Sequence, residues 1–107
     1  MNIKEEYINF KDLLIYNIHY GCEYPIEDRT TLDKEFNKIF ESFNLIVRNT
    51  KTHGKLLLLN QAIVKIKSSL QVYQKGNDGR GLLEEALSLI ESSENSTEST
   101  GKDVIYL

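Results

Sequence analysis

Cysteine and proline are nearly absent from this sequence, with one of each among 107 residues, and tryptophan is missing. Cys22 has no second cysteine to pair with inside the chain, so packing must hold the fold, as in proteins of a reducing compartment. The longest purely aliphatic run is Leu56–Leu59, whereas a membrane-spanning helix needs about 20 apolar residues. The first residues, MNIKEEYINF, lack the basic start and apolar run of a signal peptide. These absences indicate a cytoplasmic protein that is neither exported by that route nor inserted in a membrane.

Charge is present in ordinary amount but is unevenly distributed. Apolar residues make up 40% of the chain and charged residues 27%, which is typical of one globular domain, and the net charge is -3. Six bases and no acid lie between Arg48 and Lys75, whereas six acids and one base lie between Glu84 and Asp103. Such asymmetry is typical either of a surface that faces a polyanion, with an acidic counterweight, or of a solvated helix face followed by an acidic tail.

Apolar residues recur at three- and four-residue spacing in four segments, which predicts four helices. The first runs from about residue 3 to 20 and the second from about 31 to 48, with a loop around Pro25 between them. The third carries Leu56–Tyr73 and is apolar on more than one side, so we expect it to be central. The fourth begins after Asp78, which can cap it. Short connections favour an all-α fold, an antiparallel four-helix bundle.

The apolar stripes also predict the core. It contains Phe10, Leu14, Phe36, Phe40, Phe43, Leu59, Ile63, Ile66 and Leu70. After Ile90 the stretch ESSENSTESTGKD has no apolar residue and cannot offset the entropy of ordering. We therefore place the bundle domain at 1–92 and a flexible acidic tail at 93–107. The tail ends in VIYL, which can fray, dock in a groove or add a strand to another chain.

The stretch VRNTKTHGK, residues 47–55, connects the second and third predicted helices and contains Arg48, Asn49 and His53. An arginine, then a polar residue, then a histidine resembles the signature of the HEPN family of helical ribonucleases. The resemblance implies that Arg48 and His53 face a scissile phosphate across a helical bundle, commonly at a dimer interface. A guanidinium holds a phosphate through paired hydrogen bonds, and an imidazole near neutral pKa can exchange the proton of a ribose hydroxyl.

The same stretch is also typical of a polar joint between two helices. On one unbroken helix, residues five apart lie about 140° round the axis, so Arg48 and His53 converge only if the helix breaks between them. Gly54 and the neighbouring threonines permit such a break. Metal binding is not indicated, because His19 and Cys22 have no second pair of ligands nearby and a closed zinc site takes about four. No cofactor is expected.

The segment EYPIEDR presents Glu23, Tyr24, Glu27 and Asp28 on the predicted loop. Acids beside an aromatic anchor suit a basic protein partner, while a solvated loop has the same composition. Near the carboxyl end, STGKDVIYL resembles the serine-aspartate-tyrosine segment of colicin nuclease immunity proteins. No residue role is carried over from that resemblance.

Two functions of different classes are consistent with these features. The first is an interaction protein, similar in general character to small bacterial immunity proteins and antitoxins, that binds a basic nuclease toxin domain. Carboxylates suit this role because a nuclease presents a positive cleft to nucleic acid. The second is a metal-independent, HEPN-like ribonuclease that uses Arg48 and His53. Nucleic acid is the partner only under this second interpretation. A structural or regulatory helical domain is the remaining interpretation.

Overall fold

The protein consists of four helices in the computed structural model, which describes residues 3–20, 29–51 and 53–95. Helix α1 is Ile3–Tyr20, α2 is Arg29–Asn49, α3 is His53–Gln74 and α4 is Arg80–Asn95. The described residues contain no β-strand. The predicted all-α class is confirmed, and the helix bounds lie within a few residues of those predicted from the apolar spacing.

Consecutive helices run antiparallel, and α1 also packs against α4. Tyr7, near the start of α1, lies beside Ser93 near the end of α4, with 2.8 Å between their hydroxyl oxygens. The rings of Phe10 in α1 and Phe43 in α2 have centroids 6.0 Å apart. α3 packs most closely against α4, whereas the contact between α2 and α3 is the lightest among consecutive helices. The bundle is therefore tight between α3 and α4 and more open between α2 and α3.

The apolar core contains most of the residues that the sequence predicts for it. Six of these are buried: Phe10, Leu14, Phe36, Phe43, Leu59 and Ile66. The other three, Phe40, Ile63 and Leu70, are only partly buried and pack against the edge of the core. Phe40 and Ile63 line a groove of about 290 Å³ between α2 and α3, and Leu70 follows Ile63 on the same helix face. These side chains stay partly open because α2 and α3 are in light contact.

Helix α3 is not enclosed on all sides, contrary to the expectation that it is central. Leu57 is 49% exposed and Val64 is 61% exposed, while Leu59 and Ile66 on the opposite side are fully buried. In a bundle of four helices each helix turns one side outward. The extra apolar residues of α3 therefore form a surface stripe instead of a second buried face.

Two glycines build the turn between α3 and α4. Gly76 has a φ of 84°, and the N–H of Asn77 donates to the Val72 carbonyl oxygen at 3.0 Å, which ends α3 in a Schellman motif. Gly79 lies against α3, where the Ser69 hydroxyl donates to the Gly79 carbonyl oxygen at 2.8 Å. A Cβ at position 79 would lie 2.7 Å from the Ser69 carbonyl oxygen. Glycine at 79 is what allows the two helices to approach here.

Asp78 caps the start of α4, as the sequence predicts. Its Oδ1 accepts a hydrogen bond from the backbone N–H of Arg80 at 3.0 Å. The Arg80 side chain donates to the same carboxylate, with its Nη2 2.9 Å from Oδ2. These side-chain bonds, followed by the backbone bond, hold the pKa of the Asp78 carboxyl below its ordinary value. The cap fixes where the fourth helix begins.

Helix α4 extends past the predicted end of the bundle domain. It continues to Asn95, whereas the sequence assigns residues from 93 onward to the tail. Ser93 is fully buried because it continues the inward stripe three residues after Ile90 and shares a hydrogen bond with Tyr7. A polar residue on the buried face is therefore part of the bundle. The rest of the predicted tail lies outside the described residues.

The close approach at the α3–α4 turn predicts opposite effects of alanine at two neighbouring glycines. Gly79→Ala should destabilise the protein by about 1–3 kcal/mol, because the added methyl group meets backbone that cannot move freely. Gly81→Ala meets nothing within 4 Å and should be neutral or stabilise by up to about 1 kcal/mol, since alanine favours helix. Urea unfolding of both variants measures the difference. Equal effects would contradict the proposed contact.

The open side between α2 and α3 predicts that two phenylalanines differ in their contribution to stability. Phe36 is fully buried, so Phe36→Ala should cost about 3–5 kcal/mol. Phe40→Ala should cost clearly less, because its ring is already partly in contact with water. Thermal and urea unfolding of the two variants test this order. A larger loss at Phe40 would mean that the groove is closed in solution.

Candidate functional site

The stretch VRNTKTHGK spans the junction of α2 and α3. Helix α2 ends at Asn49 and α3 begins at His53, so the helix breaks between Arg48 and His53. The side chains of both residues are exposed. The break meets the geometric condition that convergence of these two side chains requires. The contacts of the residues between them show whether the stretch also has a structural role.

Asn49 is engaged by a buried carboxylate of α1. Its Nδ2 donates to both oxygens of Glu6 at 3.1 Å and to the Leu45 carbonyl oxygen at 2.9 Å. Glu6 is only 4% exposed, and a buried carboxylate is costly unless it accepts hydrogen bonds. Asn49 therefore supports the fold by satisfying Glu6. This contact gives the polar residue of the HEPN-like pattern a structural role.

A set of polar side chains, buried or half-buried apart from Asn49, continues from that residue across the end of the bundle. We name it the polar joint, and it consists of Glu6, Tyr7, Asn49, Thr50, Lys55 and Ser93. The Tyr7 hydroxyl shares a hydrogen bond with the Ser93 hydroxyl, and burial raises the pKa of this phenol. The Thr50 hydroxyl donates to the Ile46 carbonyl oxygen at 2.7 Å, which ends α2. The joint therefore connects α1, α2 and α4 at one end of the molecule.

Lys55 brings α3 into the polar joint. Its Nζ lies 5.7 Å from the centroid of the Tyr7 ring, within the range of a cation–π contact, and 3.5 Å from the Glu94 carbonyl oxygen. The Ser93 hydroxyl is 3.4 Å from the Lys55 carbonyl oxygen. Beside it, Lys11 and Glu94 form a salt bridge of 2.6 Å between α1 and α4. All four helices thus meet through polar contacts at this end.

The basic run from Arg48 to Lys75 does not form one continuous surface in the described part of the chain. Lys55 belongs to the polar joint, and Lys65 pairs with Glu85 of α4 at 2.9 Å. Arg48 and Lys75 lie at opposite ends of the bundle, at the end of α2 and after the end of α3. The cations are therefore divided among different places. A nucleic acid would not meet them as a single stripe.

Helix α4 turns a row of acids outward. Glu84, Glu85 and Glu91 are exposed, and we name them the acidic face. The helix has a single base, Arg80, and that residue pairs with Asp78 at 2.9 Å. Within the described residues, neither Glu84 nor Glu91 forms a salt bridge. The acidic face is therefore a source of negative potential on one side of the bundle.

A groove of about 510 Å³ runs along the outer side of α3 and α4. We name it the α3/α4 groove, and its lining residues are Gln61, Val64, Lys65, Glu85, Ser88 and Leu89. Val64 and Leu89 supply apolar surface, and Glu85 joins it to the acidic face. The sequence shows the apolar residues of α3 without showing that they are exposed. Their angular separation from the buried stripe of the same helix is the signal that could have predicted their exposure.

The binding residues predicted on the first loop, Glu23, Tyr24, Glu27 and Asp28, lie outside the described residues, and so does Cys22. In the described ranges, no group of three His, Cys, Asp or Glu side chains is placed to hold a metal ion. None of the helices there is both long and apolar enough to cross a membrane. The polar joint and the α3/α4 groove with the acidic face are two candidate sites among the described residues.

Comparison with known proteins gives no relative for this chain. No protein-family model matches it, and no curated protein or solved structure matches it significantly. The resemblances to HEPN ribonucleases and to immunity proteins remain predictions from the sequence. The candidate sites are therefore defined by the residues and distances of the structure alone.

The contact between Glu6 and Asn49 predicts which residue of VRNTKTHGK stabilises the protein. Asn49→Ala should cost about 1–3 kcal/mol, because a buried carboxylate loses its hydrogen-bond donor. Arg48→Ala, one residue earlier and exposed, is the matched control and should change stability by less than about 0.5 kcal/mol. Chemical unfolding at neutral pH measures both. An equal loss at the two positions would remove the special role of Asn49.

Proposed function

We propose that this protein is a small cytoplasmic interaction protein that binds and neutralises a basic nuclease toxin domain, in the manner of bacterial immunity proteins and antitoxins. The observation that carries the proposal is the acidic face of α4, where Glu84, Glu85 and Glu91 are exposed on one helix. The only base of that helix is already paired with an aspartate. A basic partner is the chemistry that such a surface attracts.

Neutralisation follows from where a nuclease must be positive. A nuclease binds the phosphates of its substrate through a cleft lined by cations. Carboxylates that occupy the mouth of this cleft block the nucleic acid. They interact favourably with the same cations that would otherwise bind the phosphates. They also accelerate encounter, because complementary potentials steer two proteins together. A rigid helix presents its acids with little loss of conformational entropy.

The loop acids predicted from the sequence belong to the same proposal. Glu23, Glu27 and Asp28 flank Tyr24, and an aromatic anchor among acids is typical of binding surfaces. In this proposal they are a second group of acids for a basic partner, besides the acidic face. The polar joint, in contrast, is used within the fold and is not assigned to the partner.

A HEPN-like ribonuclease is the alternative, and one observation favours it. The break between α2 and α3 separates Arg48 and His53 onto two helices, as convergence requires. The contact of Asn49 with Glu6 weighs against it, since it gives the middle residue of the pattern another role. The division of the basic run also leaves no continuous track for RNA. We therefore place this function second.

The proposed function predicts a nuclease among the proteins that bind this chain in cells that carry its gene. Tagged protein should capture a basic nuclease domain, and the purified nuclease should lose its activity when equimolar protein is added. Affinity should fall by at least about tenfold between low and high salt, because exposed charges are screened. An unrelated acidic helical bundle of similar size serves as the control bait.

The outcome that would contradict this function is capture of no nuclease, or capture of one whose activity is unchanged. The same preparations test the alternative. Purified protein is incubated with single-stranded RNA, and wild type is compared with His53→Ala and Arg48→Ala. Cleavage that both substitutions abolish would replace the proposed function with the ribonuclease. We expect no cleavage by any of the three.

A further inference from the structure

We infer that the α3/α4 groove, together with the acidic face, is the docking site for a basic amphipathic helix of the partner protein. The inference rests on the proposed function, because it takes the partner to be basic. It adds the surface that binds and the form of the partner's binding element. The site combines exposed apolar side chains with negative charge, and the two follow the same repeat.

The apolar part of the site is a stripe on the outer side of α3. Val64 is 61% exposed and Leu57, seven residues earlier on the same side, is 49% exposed. Leu89 of α4 is partly buried and lines the α3/α4 groove together with Val64. Exposed apolar side chains of one helix that lie beside a partly buried apolar residue of the next form the centre of many protein interfaces. Burying them requires an apolar surface beyond the four described helices.

The charged part of the site borders this stripe on α4. Ser88 lines the groove, and Glu84 and Glu91 lie on the same side of the helix, four residues before it and three after it. Glu85 lies in the groove itself, where it pairs with Lys65. This pair is exposed on both sides, and such pairs add little stability, so a cation from a partner can compete for Glu85. Negative charge therefore dominates the border of the groove.

The two parts have the same repeat, and a helix as the occupant matches it. Leu57 and Val64 are seven residues apart, as are Glu84 and Glu91, which corresponds to about 10.5 Å along a helix axis. A helix that lies between α3 and α4 presents its own side chains at the same interval. One of its stripes can contact the apolar residues of α3 while an adjacent stripe of lysine or arginine contacts the acids of α4. An extended segment alternates its side chains with a different period.

The experiment uses full-length protein and a synthetic peptide of leucine and lysine arranged as an amphipathic helix. A peptide with the same number of lysines and no apolar stripe, and one in which glutamate replaces lysine, are the control ligands. Binding is measured by fluorescence anisotropy in about 0.1 M salt, where exposed charges are still only partly screened. Amide shifts in two-dimensional NMR spectra locate the peptide on the protein. We expect shifts centred on Val64, Ser88 and Leu89 with the leucine–lysine peptide alone.

Two variants separate the apolar and charged contributions, and each has a control of the same chemical kind on α2. Glu84→Gln with Glu91→Gln should weaken binding at least about fivefold, and Val64→Ser at least about threefold. Glu41→Gln and Leu45→Ser change an exposed acid and an exposed apolar residue elsewhere and should alter binding by less than about twofold. Thermal unfolding confirms that all variants keep the fold. Equal effects of the two sets, or shifts centred away from the groove, would overturn the inference.

The same variants distinguish this inference from the proposed function. If the captured nuclease is inhibited equally well by wild type, Val64→Ser and the double glutamine variant, the function stands and the α3/α4 groove is excluded as its site. If no nuclease is captured but the peptide binds as expected and the variants weaken it, the function fails and the groove remains a site for basic helices. Weakening of both peptide and nuclease by the same substitutions supports the two together.

Discussion

Burial of the Glu6 carboxylate is the constraint on which one end of the molecule depends. A carboxylate that is only 4% exposed must accept hydrogen bonds, and Asn49 supplies them from the last turn of α2. This contact ties the last turn of α2 to α1. Tyr7, the next residue of α1, then bonds Ser93 of α4. Satisfying these buried polar groups therefore sets the relative positions of the helices, while apolar burial supplies the larger part of the stability.

Helix α3 is packed unequally on its two sides. Toward α4 the helix approaches closely, since Gly79 carries no side chain and the Ser69 hydroxyl bonds its carbonyl oxygen. Toward α2 the contact is light and Phe40 stays partly open. The tight pair holds Glu85, Ser88 and the apolar residues of α3 in fixed relative positions. A rigid pair of helices is suitable for a binding surface, because it loses little conformational entropy when a partner binds.

Local patterns predicted the helices well and predicted their contacts poorly. The first helix and the Asp78 cap follow directly from spacing and residue type. The partial burial of Phe40 does not, because an apolar stripe shows which side of a helix turns inward and not how closely the next helix approaches. The pairing of Asn49 with Glu6 joins residues 43 apart in sequence, so no local pattern contains it. The acidic face was visible as a cluster of acids, but its exposure on one helix required the bundle.

The bond between Tyr7 and Ser93 also bears on the order of folding. These residues are 86 apart in the sequence, so joining them closes most of the described chain into a loop. The entropy of closing so long a loop is lost before the contact stabilises anything, whereas α3 and α4 meet across a short turn. We therefore expect the hairpin of α3 and α4 to assemble early and α1 to dock on it late. Contacts that form after the transition state act chiefly on the unfolding rate, so this end of the bundle governs how long the folded protein lasts.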